Sequence, residues 1–136
     1  MATSIQVVNQ RVEMFHDMDL LLLLRMMVEK VRSAPDRYES LRSIAGGWER
    51  SWKYYGPGVL DLELDSIASD SVKKAEFVEL LGDLENSYLV PEGVWPADTV
   101  NQRWGVKGVK FSDYPSSRLL EAVAKIRALI SPGYSG

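Results

Sequence analysis

The chain has 136 residues, 46% apolar and 26% charged, with 16 Lys+Arg against 19 Asp+Glu, one histidine and no cysteine. A chain of this length buries about two thirds of its unfolded surface, enough for one core, so residues 1–136 read as a single globular domain. Without cysteine there is no disulfide framework, thiolate metal site, iron–sulfur cluster or cysteine nucleophile, and a net charge of −3 disfavours a module built mainly to neutralise phosphates.

Ile5, Val8, Val12 and Phe15 recur at three- and four-residue spacing, the pattern of an amphipathic helix, with Thr3 or Ser4 able to cap it. The run Leu20 to Leu24, continued by Met26, Met27 and Val28, is the most apolar stretch. Arg25 interrupts it, Asp17 and Asp19 precede it, and Glu29 and Lys30 follow, so it falls far short of the roughly 18 uninterrupted apolar residues of a membrane span. It also lacks the basic start of a secretion signal. The expectation is a central core helix in a cytoplasmic protein, joined to the first helix directly or by a bend near His16, with Asp17 or Asp19 as a second cap. Ser33, Ala34 and Pro35 stop it, and Asp36 opens a helix carrying Tyr38, Leu41, Ile44 and Ala45. Gly46 and Gly47 then mark a bend, a break or a close approach, since each glycine costs a helix about 1 kcal/mol relative to alanine.

Trp48, Trp52 and Tyr55 share a helical face that Gly56, Pro57 and Gly58 end. From Val59 to Ile67, leucines at 60, 62 and 64 alternate with Asp61, Glu63 and Asp65, the period of a half-buried strand, although leucine and acids also suit a short helix or an irregular packed segment. Ser69 or Asp70 starts a helix with Val72, Ala75, Phe77, Val78, Leu80, Leu81 and Leu84 that ends near Tyr88, before Pro91, Gly93 and Pro96. Residues 89–114 show no helical period. Trp95, Trp104 and Phe111 order them by packing on the helices, and Val106 to Phe111 offers a short strand. Pro115 opens a last helix through Leu119, Leu120, Val123, Ile126, Leu129 and Ile130, closed by Ser131, Pro132 and Gly133 ahead of a frayed tail at 134–136. The fold class is mainly α, a compact bundle of four to five helices with a structured aromatic-rich loop region; the alternative is α+β with a small antiparallel sheet.

Chemistry is constrained mostly by what is missing. His16 is the only histidine, so two-histidine metal motifs are excluded, and without a Gly-x-Ser-x-Gly elbow it reads as a surface residue. Asp61, Glu63 and Asp65 form the densest acidic motif but lack the fixed offsets of an EF-hand loop, so a solvated face, or a docking patch for a basic partner, stands ahead of a hard-cation site or an acid–base pair. Gly105 to Lys110, with Arg103 and Trp104, resembles a phosphate loop only superficially and reads best as a turn, with nucleic acid disfavoured. Trp48, Trp52, Tyr54 and Tyr55 cannot all enter one core, so an aromatic rim at the Gly-Pro-Gly end is expected. No catalytic residue, metal ligand or cofactor is assigned.

A protein-binding module therefore stands ahead of a small carboxylate-dependent hydrolase or transferase and of a regulatory or nucleic-acid adaptor. A compact, acidic, cysteine-free domain with Asp61, Glu63 and Asp65 beside Trp48, Trp52, Tyr54 and Tyr55 resembles in type the small bacterial immunity proteins of polymorphic toxin and contact-dependent inhibition systems. That resemblance implies a cognate protein toxin as partner, occlusion of its active site, and those seven residues as the contact surface.

Overall fold

The computed structural model describes residues 2–88 and 93–131. Strands β1 (Thr3–Val8) and β2 (Arg11–His16) are followed by α1 (Asp17–Ser33), a 3-10 turn (Glu39–Leu41), α2 (Arg42–Lys53), α3 (Leu64–Ala68) and α4 (Ser71–Ser87). Then come β3 (Val94–Trp95), α5 (Ala97–Trp104), β4 (Tyr114–Pro115) and α6 (Ser116–Ile130). Among the described residues the architecture is thus six helices with two small two-stranded antiparallel sheets, which departs from a pure bundle of four to five helices and fits the α+β alternative.

α1 is the central core helix, with Leu20 to Leu24, Met26, Met27, Val28 and Val31 all buried. α2, α4, α5 and α6 pack around it, so it buries most of its circumference instead of one stripe. α4 starts where a cap was expected, with Asp70 accepting from the Val72 and Lys73 backbone N–H groups at 2.9 and 3.1 Å. Its core face is Phe77, Leu80, Leu81 and Leu84, while Val72 and Val78 point outward. α6 follows Pro115, as its sequence implied.

Several expectations are corrected. The first segment is a hairpin, not a helix, and the chain turns at His16 from strand to helix. Thr3, Ile5, Val7, Val8 and Val12 are β-branched and favour extended backbone. Asn9 and Gln10 form a two-residue loop with both φ values positive, 48° and 70°, the geometry that matches the twist of a tight hairpin. The apparent helical spacing arose because polar Ser4 and Gln6 occupy the inward face of β1, whereas Ile5, Val7, Val12 and Met14 face out. Asp17 and Asp19 do not cap α1; both carboxylates have other partners. Asp36 precedes a turn, and the second helix begins at Arg42.

α2 runs unbroken through Gly46 and Gly47. Of the alternatives for that pair, close approach holds at Gly47, where a Cβ would sit 2.8 Å from Glu63 Oε2. Residues 59–63 keep the alternating burial read from sequence, with Leu60, Leu62 and Leu64 inside, but form no strand. Glu63 takes a left-handed conformation, φ 59°, that ends the extended run and starts α3. α5 lies in the region read as lacking helical period, and residues 106–111 form only a bridge between Val106 and Val109 around a turn at Gly108. Trp104 and Phe111 do pack into the core, and Trp95 lies against it. The Pro91, Pro132 and Gly133 stops and the tail 134–136 lie outside the described residues.

Candidate functional site

An open cleft of about 490 Å³ lies between β1 and residues 58–66, lined by Thr3, Ile5 and Val7 on one side and by Val59, Asp61, Glu63 and Asp65 among those on the other. Its construction follows from the inverted hairpin. Ser4 and Gln6, both buried, turn their side chains toward residues 60–62: Leu60 N–H donates to Ser4 Oγ at 3.1 Å, Leu62 N–H donates to Gln6 Oε1 at 2.9 Å, and Gln6 Nε2 donates to Leu60 O at 2.9 Å. Side chains here take the place of a strand ladder. They satisfy buried backbone groups that would otherwise each cost about 1–3 kcal/mol, and hold residues 60–62 alongside β1 without closing the gap.

One wall of the cleft is a strand edge. The β1–β2 pairing sets Thr3 opposite His16, Ile5 opposite Met14 and Val7 opposite Val12. Asp17 N–H donates to Ala2 O at 3.0 Å, which extends the same register and makes the even-numbered residues of β1 the hydrogen-bonded ones. The N–H and C=O groups of Ile5 and Val7 therefore point away from β2. The opposite edge of the hairpin is treated differently: Lys125 Nζ donates to Met14 O, and Arg11 Nη1 donates to Ala128 O and Ser131 O, so α6 covers it.

The seven sequence-predicted contact residues divide into two groups. Asp61 and Asp65 are exposed and Glu63 half-buried, and all three line the cleft. Asp61 accepts from Glu63 N–H and Asp65 from Asn9 N–H; none of the three is in an ion pair among the described residues. Tyr54 is 82% exposed. Trp48 and Trp52, by contrast, are buried: Trp48 Nε1 donates to Leu62 O at 3.0 Å, and Trp52 lies under the Arg25 guanidinium, 4.9 Å from ring centre to Cζ. Trp48 is thus a support behind the acidic wall, while Trp52 packs on the α1 side. Tyr55 is tied inward as well, donating to Asp17 Oδ2 at 2.7 Å beside the Gly58 N–H at 2.9 Å. Burial, and then this bond to Asp17, push the Tyr55 phenol up to about 12.

Asp17 belongs to a series. α1 carries three carboxylates that each accept from a tyrosine elsewhere in the chain: Asp17 from Tyr55, Asp19 from Tyr114 and Glu29 from Tyr88. Burial raises the Glu29 carboxyl, but hydrogen bonds from Arg103, Tyr88 and Trp104 outweigh it and hold Glu29 below its ordinary value. Burial first, and these bonds second, push the Tyr88 and Tyr114 phenols well above theirs. These are clamps between α1 and its surroundings.

Other candidates fall away on geometry. His16 is exposed at the end of β2. Arg103 is committed to Glu29, and Trp104 is buried edge-on against Tyr88 and Trp95, so it offers no free face on which a base would stack. No group of metal-binding side chains occurs among the described residues, and no described helix is long and apolar enough to cross a membrane. The residues that sequence reading missed are Thr3, Ile5, Val7 and Val59. The outward alternation of Ile5 and Val7 with Val12 and Met14 was the available signal. Compared with protein-family models, curated proteins and solved structures, the chain gave no match.

Proposed function

We propose that this chain is a protein-binding module that engages a basic partner through the β1 cleft, and that its activity is neutralisation of a cognate toxin in the cytoplasm by occlusion. The observation that carries this reading is the juxtaposition of exposed apolar side chains, Ile5 and Val7, with three carboxylates that form no ion pair among the described residues, Asp61, Glu63 and Asp65, across one open cleft. Apolar surface supplies affinity on burial, and a single sign of charge steers association and selects basic partners. Tyr54 and Val59, both largely exposed, add apolar area outside the cleft and along its wall.

The test is co-expression with the product of the adjacent gene, followed by a binding measurement on the purified pair. Protection of growth and a complex whose association rate falls with salt are expected. In D61N/E63Q/D65N the association rate drops about tenfold and loses most of its salt dependence. A complex with unaltered affinity and salt response in that variant rules out the acidic cleft as the contact surface, and growth arrest despite co-expression rules out neutralisation of that product.

A further inference from the structure

We infer that the uncovered edge of β1 receives an extended partner segment as a third strand, one that alternates Lys or Arg with apolar side chains. This rests on reading the cleft as the protein-binding surface and goes on to name how, and by what chemistry, it is occupied.

Three observations converge. The N–H and C=O groups of Ile5 and Val7 face the cleft and are bonded neither to β2 nor to residues 58–66, whose links to β1 run through the Ser4 and Gln6 side chains. An unprotected strand edge is a ready template for another strand, and proteins usually blunt it with Lys, Pro, a bulge or a covering element. β2 has that protection from Lys125 and α6, whereas β1, Thr-Ser-Ile-Gln-Val-Val, carries no Lys or Pro, and α3, which packs against it, makes no hydrogen bond to the Ile5 or Val7 main chain among the described residues. Second, the outer face of the hairpin is apolar, with Ile5, Val12 and Met14 each more than half exposed. An added strand places every second side chain on that face, beside Ile5 and Val7, where an apolar residue gains most. Third, the intervening side chains enter between β1 and residues 59–66. They meet Asp61, Glu63 and Asp65 there, and the cleft lining contains no Lys, Arg or His. Lys or Arg at those positions matches the charge.

The same charge argues against a second copy of this chain as occupant. Pairing β1 with β1 of another copy brings two acidic walls together, and like charges held close destabilise the contact. Strand addition draws affinity from main-chain hydrogen bonds and specificity from alternate side chains, which is the division of labour that this edge and this wall provide.

The experiment titrates the full chain with a capped octapeptide alternating Lys and Val. Controls are a peptide alternating Glu and Val, and a Lys–Val peptide N-methylated at every second residue on the pairing edge. Binding is followed by calorimetry at low and high salt, and hydrogen exchange at the Ile5 and Val7 amides by NMR. The expected result is slowing of exchange at both amides by about tenfold or more, binding about tenfold weaker in D61N/E63Q/D65N, and loss of binding by the N-methylated and Glu–Val peptides. Salt-dependent binding that the triple variant abolishes, with no amide protection and full tolerance of N-methylation, overturns strand addition while leaving the protein-binding reading standing. Absence of any binding by the Lys–Val peptide also overturns it, leaving the protein-binding reading to be judged on its own partner. Amides already protected in the free chain, with a dimer in sedimentation, replace the proposed occupant by a second copy.

Discussion

Two sets of three carboxylates meet opposite conditions in this fold. Asp17, Asp19 and Glu29 lie along α1, and each is bonded to a tyrosine brought from another part of the chain. Asp61, Glu63 and Asp65 line a cleft, with backbone N–H groups bonded to Asp61 and Asp65 and no ion pair at any of the three among the described residues. In the first set Asp17 and Asp19 are buried, and Glu29, though partly exposed, accepts from Tyr88, Arg103 and Trp104, so removal of any of them strands the donors around it. The second is solvated and keeps acceptor capacity for an incoming cation. Acidic residues of similar chemistry thus serve cohesion in one region and an outward-facing charge in the other.

The largest expected effect comes from emptying the first set at its most connected member. Asp17 is 2% exposed and accepts from Ser4 Oγ, Tyr55 Oη and Gly58 N–H. Asp17→Ala leaves those donors unsatisfied at the junction of β1, α1 and the 56–60 turn, and should cost about 3–5 kcal/mol in urea unfolding. A loss below about 1 kcal/mol would mean that water replaces the carboxylate readily, and the contrast between the two sets would collapse.

Tyr55→Phe removes one of those donors and should cost about 1 kcal/mol at neutral pH. It also has a pH signature. The folded-state phenol is raised from 10.0 to about 12, so its contribution is complete below pH 10 and is lost as pH rises from there through about 12. Tyr88 and Tyr114 are raised too, so the informative quantity is the stability of the parent minus that of Tyr55→Phe. That difference should shrink in alkali. A difference that stays constant from pH 9 to pH 12, on the scale of those same phenols, would show that Tyr55 contributes by packing alone.

How legible these features were in sequence depended on what each element buries. α1 was readable because nearly every side chain from Leu20 to Val28 is apolar, and α4 because Asp70 caps it and Phe77, Leu80, Leu81 and Leu84 recur on one face. The hairpin was not, because hydrophobic periodicity reports burial only when the inward face is apolar, and β1 buries Ser4 and Gln6. α5 escaped because only Val100 and Trp104 anchor its eight residues. At the cleft, the three acids stood out as a motif, while its other wall did not: a strand edge is made of backbone groups and leaves no side-chain signature. Trp48 and Trp52 misled toward the surface for the opposite reason, since aromatic richness alone does not separate a binding rim from the supports beneath it.

Gly47→Ala sharpens the comparison with a change of the opposite sign. Alanine inside α2 favours the helix by about 1 kcal/mol, and of the atoms the new Cβ would meet only Glu63 Oε2, at 2.8 Å, is too close, and it is the far end of a flexible side chain; Arg50 Nη2 lies at an ordinary 3.8 Å. Glu63 should swing aside, leaving a net gain of about 0.5 kcal/mol in thermal or urea unfolding. A net loss above about 1 kcal/mol would show Glu63 to be fixed in place, as the acids of α1 are.

The smallest expected effect on stability belongs to D61N/E63Q/D65N. The amides keep an acceptor for Glu63 N–H and Asn9 N–H, and no ion pair among the described residues is broken, so the unfolding free energy should move by less than about 0.5 kcal/mol. Stability and binding are expected to separate here: a variant as stable as its parent that binds a basic partner more slowly places these carboxylates in recognition. The isosteric amides make that separation clean, because cleft shape and local backbone hydrogen bonds persist while only charge is lost. Removal of three like charges from one short segment relieves some repulsion, so a slight gain in stability is within the expected range. A loss approaching that of Asp17→Ala would instead assign Asp61, Glu63 and Asp65 to the scaffold, and the distinction between a cohesive and an outward-facing set of acids would fail at its most direct test.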